Sequence, residues 1–370
     1  MKVFQCIHKY APHIKDFEEK YNIKNQNLSF NEIRELLIKD GYASTYILKP
    51  ALDGETDKVF FTIWDYHHLQ FKWAEENNLK TKNLDEIKLA QIDNFKPDVF
   101  YNQSPNYDNN FIDKIKSLSN IKTICWDGII KKYPTMHLEY DARVTLFEPY
   151  VKYWNKKGLK AFLLTPAYVP SWEKYKSEDK DIDVLFYGQY NVNYFSNRNK
   201  IIKELLEWQK DKKFNVDVHL QGAHKKAPLI NVKGIRRITQ WINKSPKVIR
   251  KYAKGPIYGD VLYKKIGRSK IVVNAFTNNN GLYKDNMRNY EAIGMQALLI
   301  GEDGIYPDFI ENDQDILTYK NTEELIYLIE DVLSQPKNYR QMAEKAHLKM
   351  KEDCSKEIQW NQFCDIVDSI

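Results

Sequence analysis

Short apolar runs alternate along the chain with longer stretches in which apolar positions recur at helical spacing. The first pattern predicts buried strands and the second amphipathic helices. In the first half the strands are MKVFQCI, YASTYILKP, KVFFTIWD, DVFYNQ, IKTICWDG, ARVTLFE and AFLLTPAY. The helices are SFNEIRELLIKDG, HHLQFKWAEENN, LDEIKLAQIDNF, DNNFIDKIKSLSN and PYVKYWNKKG. Ser29, with Glu32 three residues on, is placed to cap the first helix, which ends at Gly41. The polar stretch VPSWEKYKSEDKD, residues 169–181, reads as a linker, and the pattern then restarts. Strands DIDVLFYG, FNVDVHLQG, KIVVNAF and QALLIGE alternate with helices NRNKIIKELLEWQKD, GDVLYKKIGRS, NMRNYEAIG and EELIYLIEDVLSQ. Two more helices, NYRQMAEKAHLKMKEDC and SKEIQWNQFCDIVDSI, close the chain.

This alternation predicts an α/β protein of two doubly wound, Rossmann-like domains facing a central cleft. The first spans 1–168 and the second 182–355, and 356–370 forms a terminal helix crossing back to the first. Ligands of such sheets bind on the loops that leave the carboxyl ends of the strands.

Composition adjusts this picture little. The 370 residues suit two domains, and 43% apolar content supplies their cores. No apolar run approaches the ~20 residues of a membrane span. The N-terminus lacks the apolar segment of a signal peptide, and the four cysteines have no CxxC spacing, so a reducing cytoplasmic setting is expected. Charge is more informative. The net +6 hides a window from Val218 to Gly259 with ten Lys/Arg and no acidic residue, which leaves −4 for the rest.

Candidate chemistry centres on NMRNYEAIGMQALLIGEDG, residues 286–304. The strand KIVVNAF delivers the loop TNNNGLYKD to a helix that begins near Asn286. A helix N-terminus presents free backbone N–H groups and favours phosphate. Arg288 adds a planar cation suited to a diphosphate. Glu291 shares a helix face with Arg288 and could accept both hydroxyls of a ribose, and Gly281 would let backbone approach a ligand. An exposed Arg–Glu pair, worth under about 1 kcal/mol, would give the same spacing. A second phosphate-type loop follows the strand ending at Gly188, with Arg198 at the start of the next helix. Asp181-Ile182-Asp183 reads as the polar entry to a strand and not as a metal site.

Four segments in order, DIDVLFYGQY…NRNKIIKELL, VDVHLQG, GDVLYKKIGRSKIVVNAF and NMRNYEAIGMQALLIGEDG, resemble the C-terminal half of GT-B glycosyltransferases. The pattern is most similar to the CgeB-like, spore-maturation type, related to the large retaining group. The resemblance covers residues from about 181 to about 350. Upstream it is carried by the strand–helix rhythm and by ARVTLFEPYVKYWNKKGLKAFLLTPAY. It implies a nucleotide-sugar donor of the UDP or GDP type, bound by the second domain without a metal. Glu291 would lie at the ribose, with Arg288 near the diphosphate and Gly188, Arg198 and Asn286 around it. Related retaining enzymes carry a second glutamate that touches the donor sugar; here that position is Tyr283.

For the acceptor side, Asp127 and His8 follow first-domain strands and are the candidate bases of an inverting reaction, ahead of His13, His67 and His68. In the basic window a helix over Arg236–Asn243 would set Ile238, Trp241 and Ile242 on one face, flanked by Arg236 and Arg237. That suits an anionic membrane surface or an acidic acceptor, and equally an insertion packed on the second domain. The expected activity is sugar transfer to a glycan or lipid-linked acceptor in surface polysaccharide synthesis, cytoplasmic or peripheral at the inner membrane face. Two alternatives share the fold: a transferase acting on nucleic acid, for which no recognition motif is present, and a donor-binding module without turnover.

Overall fold

The computed structural model describes residues 1–104, 109–118, 120–128, 139–191, 195–212, 214–224, 227–228, 241–242, 245–277 and 281–370. The chain divides into two compact units. One comprises Met1–Pro170, Tyr258–Asp260 and Asp353–Ile370; the other comprises Ser171–Ile257 and Val261–Glu352.

The first unit holds six strands: β1 (Val3–Ile7), β2 (Val59–Ile63), β3 (Val99–Gln103), β4 (Lys122–Trp126), β5 (Ala142–Thr145) and β6 (Ala161–Leu163). They pair in the order β2-β1-β3-β4-β5-β6, all parallel. Every residue of β3 is buried, which requires helices on both faces. Alternate residues serve the two sides. Val3, Val99, Tyr101 and Ile124 pack with Phe363 and Ile366 of the terminal helix Lys356–Asp368. Phe4, Cys6, Phe100 and Cys125 pack with Phe111, Ile112 and Ile115 of the helix Asn109–Leu118.

The second unit holds β7 (Ile182–Gln189), β8 (Val216–Gln221), the two-residue strands β9 (Ala227–Pro228) and β10 (Trp241–Ile242), β11 (Ser269–Asn274), β12 (Leu298–Glu302) and β13 (Leu317–Tyr319). Its main sheet runs β13-β12-β11-β7-β8, again all parallel, while β9 and β10 form a separate antiparallel pair. The core of Val184, Phe186, Ile271, Val273, Leu298 and Ile300 is covered by Ile201 and Leu205 and by Leu325 and Ile329. These come from the helices Ser196–Trp208 and Thr322–Ser334.

Local chemistry explains the element boundaries. The helix Phe30–Asp40 starts with a full capping box: the Ser29 side chain accepts from Glu32 N at 3.2 Å, and Glu32 Oε2 accepts from Ser29 N at 2.7 Å. It stops at Gly41, whose φ of 82° is left-handed. Ser29→Ala is expected to cost about 1 kcal/mol of stability, read as a shift in a urea unfolding midpoint.

Several elements differ from the sequence expectation. YASTYILKP is not a strand but a 3-10 turn, Ser44–Tyr46, followed by a short helix, Lys49–Leu52. Pro50 suits a first helical turn, and the Thr45 and Ile47 carbonyls are taken by Lys356 Nζ at 2.7 and 2.8 Å, so no ladder forms there. The helix Ala11–Lys20 was hidden behind its Pro12; it buries His13, Ile14 and Phe17 on one side. The helix expected over Arg236–Asn243 is overturned where it can be seen: Trp241–Ile242 is extended and pairs with Ala227–Pro228. Arg236 and Arg237 lie outside the described residues. Trp172, inside the stretch read as a linker, is 1% exposed and packs against Tyr263.

Candidate donor-binding site

The carboxyl ends of β7 and β11 and the N-terminus of the helix Met287–Gly294 lie in the second unit and are joined by side-chain hydrogen bonds, with the end of β12 nearby. Asn274 is the hub. It ends the apolar strand β11, where a polar side chain has no sheet neighbour to satisfy it, and it turns to the helix instead. Its amide nitrogen donates to Asn286 Oδ1 at 3.1 Å and to Asn289 Oδ1 at 2.8 Å. Its carbonyl oxygen accepts from Arg288 Nη1. Asn286 caps the helix, its side chain accepting from Arg288 N at 2.9 Å.

Arg288 is held on both sides. Nη2 donates to the Tyr187 backbone carbonyl at 2.6 Å, and the guanidinium lies 4.7 Å from the centre of the Tyr187 ring. Its Nε is buried and has no hydrogen-bond partner among the described residues. Gly188 makes room for this arrangement. With φ of 154° it adopts a backbone few other residues would, and a Cβ there would lie 2.9 Å from Arg288 Nη2 and 4.0 Å from Arg198 Nη1. Gly188→Ala should therefore displace the Arg288 guanidinium. The expected result is about a tenfold loss of donor affinity by calorimetry, or about 1.4 kcal/mol; unchanged affinity would show that the guanidinium does not touch the donor.

Arg198 is 7% exposed and donates Nε–H to the Ala275 carbonyl at 2.8 Å. Burial first, and then the like charge of Arg288, brings its pKa down to about 10. Neither guanidinium is hydrogen-bonded to a carboxylate among the described residues. The nearby Glu302 is committed elsewhere: it accepts from Phe276 N at 3.0 Å and from Lys284 Nζ at 3.1 Å. The result is two cations at one strand end that feel Glu302 and Glu291 at a distance but are hydrogen-bonded to neither, an arrangement that an anion would stabilise.

Glu291, one turn into the helix, is 3% exposed, and its Oε2 accepts from the Tyr187 hydroxyl at 2.6 Å. Burial pushes its pKa up, against the pull of the Tyr187 hydrogen bond and of Arg288. Asp285, just before the cap, is 6% exposed, and burial raises its carboxyl to about 8.

Among the residues singled out from the sequence, Asn286, Arg288 and Glu291 thus lie in one hydrogen-bonded cluster with Tyr187 and Asn274, and Gly188 and Arg198 lie beside it. Tyr283 is half-buried on the preceding loop, bridged to Ile305, beside Lys284. Gly281 has φ of 56°, in the left-handed region that favours glycine, and no described atom lies within 4 Å of where a Cβ would stand. Asp181 is paired with Arg268, and Asp183 with Lys270 at 2.6 Å. Tyr187, Asn274 and Lys284 were not singled out. An amide closing an otherwise apolar strand, IVVN, was the available signal for Asn274.

The first-unit candidates are not drawn together. His8 is exposed just past β1. Asp127 is 3% exposed just past β4, near the buried Arg143. β3 lies between those strands, so their ends stand about 10 Å apart. His13 is buried: Nε2 lies 2.9 Å from Asp40 Oδ2 and the ring stacks on Tyr42. His67 is exposed at a helix start. Among the described residues no group of three or more His, Cys, Asp or Glu side chains is placed to hold a metal, and no helix is long and apolar enough to cross a membrane.

Residues 197–365 match the family described as Glycosyl transferase-like. No curated protein matches the chain in sequence. Among solved structures the chain is similar to HepE of Anabaena in complex with UDP, at 10% identity over the whole of both chains and a TM-score of 0.59. It is also similar to TarM of S. aureus, at 14% identity over 78% of this chain and 59% of that one, TM-score 0.53. A third is the pneumococcal O-GlcNAc transferase GtfA in complex with UDP and GlcNAc, at 10% identity over 76% of this chain and 59% of that one, TM-score 0.51. The chain thus spans about three fifths of the length of TarM and GtfA. Two parallel-sheet Rossmann-like units with these neighbours define the GT-B fold. The family match lies within the second half of the chain.

Proposed function

We propose that the protein transfers a sugar from a nucleoside-diphosphate sugar, of the UDP type, to a glycan or lipid-linked acceptor. The observation that carries this reading is the pair Arg198 and Arg288. Two guanidiniums meet at Gly188 beside a helix N-terminus, and among the described residues neither is hydrogen-bonded to a carboxylate. A diphosphate beside that helix start supplies a direct counter-charge to the pair. UDP is favoured over GDP because HepE and GtfA were each solved with UDP. In this reading Asn274 and the Tyr187 carbonyl hold Arg288 in place, and Glu291, steadied by the Tyr187 hydroxyl, accepts from the ribose. As the bond to the sugar breaks, charge builds on the leaving diphosphate, and the preset cations stabilise it there. Tyr283 borders the donor. Asp127 or His8 takes the acceptor's proton if the reaction inverts. The resemblance to the spore-maturation type, a role in surface polysaccharide synthesis and peripheral membrane attachment belong to the same proposal.

Thermal unfolding with UDP, GDP, uridine and a panel of UDP-sugars tests it. UDP at a hundred times its dissociation constant should add about 2.7 kcal/mol of stability. Uridine, without the diphosphate, should bind at least tenfold more weakly. A response to uridine equal to that to UDP, or no response to any nucleoside diphosphate, would sink the proposal.

A further inference from the structure

We propose that the second unit carries another small-molecule site, at the opposite end of its sheet from the one above, which takes a small carboxylate with a compact aromatic or branched body. The inference does not rest on the donor reading.

A cavity of about 150 Å³ lies by the amino ends of β11 and β12. Its body is apolar: Leu298 opens β12, Val332 comes from the helix Thr322–Ser334, and Tyr339 and Ala343 lie one turn apart on the helix Pro336–Asp353. An apolar cavity of about this volume holds a benzene ring.

Lys180 supplies the polar wall. Its Nζ donates to the Gly267 carbonyl at 3.0 Å and to the Ser269 carbonyl at 3.2 Å. An ammonium has three N–H groups, and the third has no acceptor among the described residues. No carboxylate bonds to Lys180 either. Burial alone brings its pKa down to about 8, with no acidic neighbour offsetting it. The other two cations at the cavity are already compensated, Lys270 by Asp183 and Arg340 by Glu178. Lys180 is therefore the group that gains from an incoming anion. A carboxylate accepts the third N–H and returns a counter-charge, while its apolar body fills the space against Leu298 and Val332. A phosphate would match the charge but not the apolar body, and a neutral ring would match the body but leave the ammonium uncompensated.

The test is calorimetric titration of the full chain with benzoate and with benzamide, which share a ring and differ in charge. Benzoate should bind one to one and at least tenfold more tightly than benzamide. Lys180→Met should reduce benzoate to the benzamide level, and Ala343→Phe, which fills the cavity, should abolish both. Benzoate binding no tighter than benzamide overturns the proposal, as does benzoate binding unchanged in both variants. Should Lys180→Met not fold, the wild-type ratio and Ala343→Phe decide the matter alone.

Discussion

Arg288→Ala lowers kcat/KM for the sugar donor by a hundredfold to a thousandfold, about 2.7–4 kcal/mol of transition-state stabilisation. The size follows from where Arg288 sits. Two of its nitrogens are held by Asn274 Oδ1 and by the Tyr187 carbonyl, so the guanidinium is preset before any ligand arrives. A preset donor loses little to reorganisation when charge develops on the leaving group, and its removal is felt mainly in the transition state. The same substitution takes a donor from the Tyr187 carbonyl and leaves Asn274 Oδ1 with the longer bond from Asn286 Nδ2, a stability cost of about 1–3 kcal/mol. Activity and melting temperature therefore have to be read together on one sample. Arg288→Lys should not rescue, since a single ammonium cannot span Asn274, the Tyr187 carbonyl and a diphosphate in one plane. A folded Arg288→Ala protein whose donor kinetics stay within threefold of wild type would show that the cluster at β7, β11 and the helix Met287–Gly294 does not bind the donor.

What the sequence made legible, and what it hid, divides along physical lines. Buried parallel strands carry short apolar runs rich in β-branched and aromatic residues, so VFQCI, KTICW and SKIVVN are legible despite their polar members. Helices with a strong start signal, such as Ser29 with Glu32, could be placed nearly to the residue. Segments whose conformation depends on a distant partner could not. The stretch 42–50 has the β-branched and aromatic content of a strand, yet its carbonyls are claimed by Lys356, more than three hundred positions away. Trp172 sits in a charged stretch that resembles a linker, and only packing against Tyr263 shows it to be core.

The site divides in the same way. Asn286, Arg288 and Glu291 were visible because they share one helical turn after a glycine-bearing loop. Tyr187 and Asn274 were not, because their parts are played across strands: Tyr187 lies 104 positions from the Glu291 that it steadies. Spacing could pair Arg288 with Glu291 as neighbours on a helix. It could not show that each is held by another strand's residue, Arg288 by Asn274 and Glu291 by Tyr187, and that is what separates a preset site from an exposed ion pair.

Asp285→Asn flattens the pH dependence of stability and makes the protein more stable at pH 8. Asp285 is buried with no cation bonded to it, and Oδ1 has no hydrogen-bond partner. Among the described residues its hydrogen bonds come from the Tyr290 hydroxyl, at 3.3 Å, and from the Asn286 backbone, both of which pull against the effect of burial. Burial raises its carboxyl from 3.8 to about 8, so the folded protein holds this proton through a range in which the unfolded chain has released it. The folded state thus binds more protons than the unfolded one between those two values. Stability contributed by the neutral acid is complete below the unfolded value and is lost as pH rises toward about 8, at about 1.4 kcal/mol per unit. Over the full window that amounts to a few kcal/mol, a large part of the stability of an ordinary domain. Asparagine keeps the shape and a donor in place of the acid's O–H but has no proton to lose. Urea unfolding of both proteins at pH 5, 6, 7 and 8 measures the difference directly. Wild type should weaken more steeply than Asp285→Asn, with the gap widening at each step; parallel lines would mean that Asp285 is ionised in the folded state and that a cation or solvent reaches it. Asp285 directly precedes the cap Asn286, so a ligand cation or a nearby phosphate that shifts this titration would be read in the same experiment, as a change in the pH at which the two curves diverge.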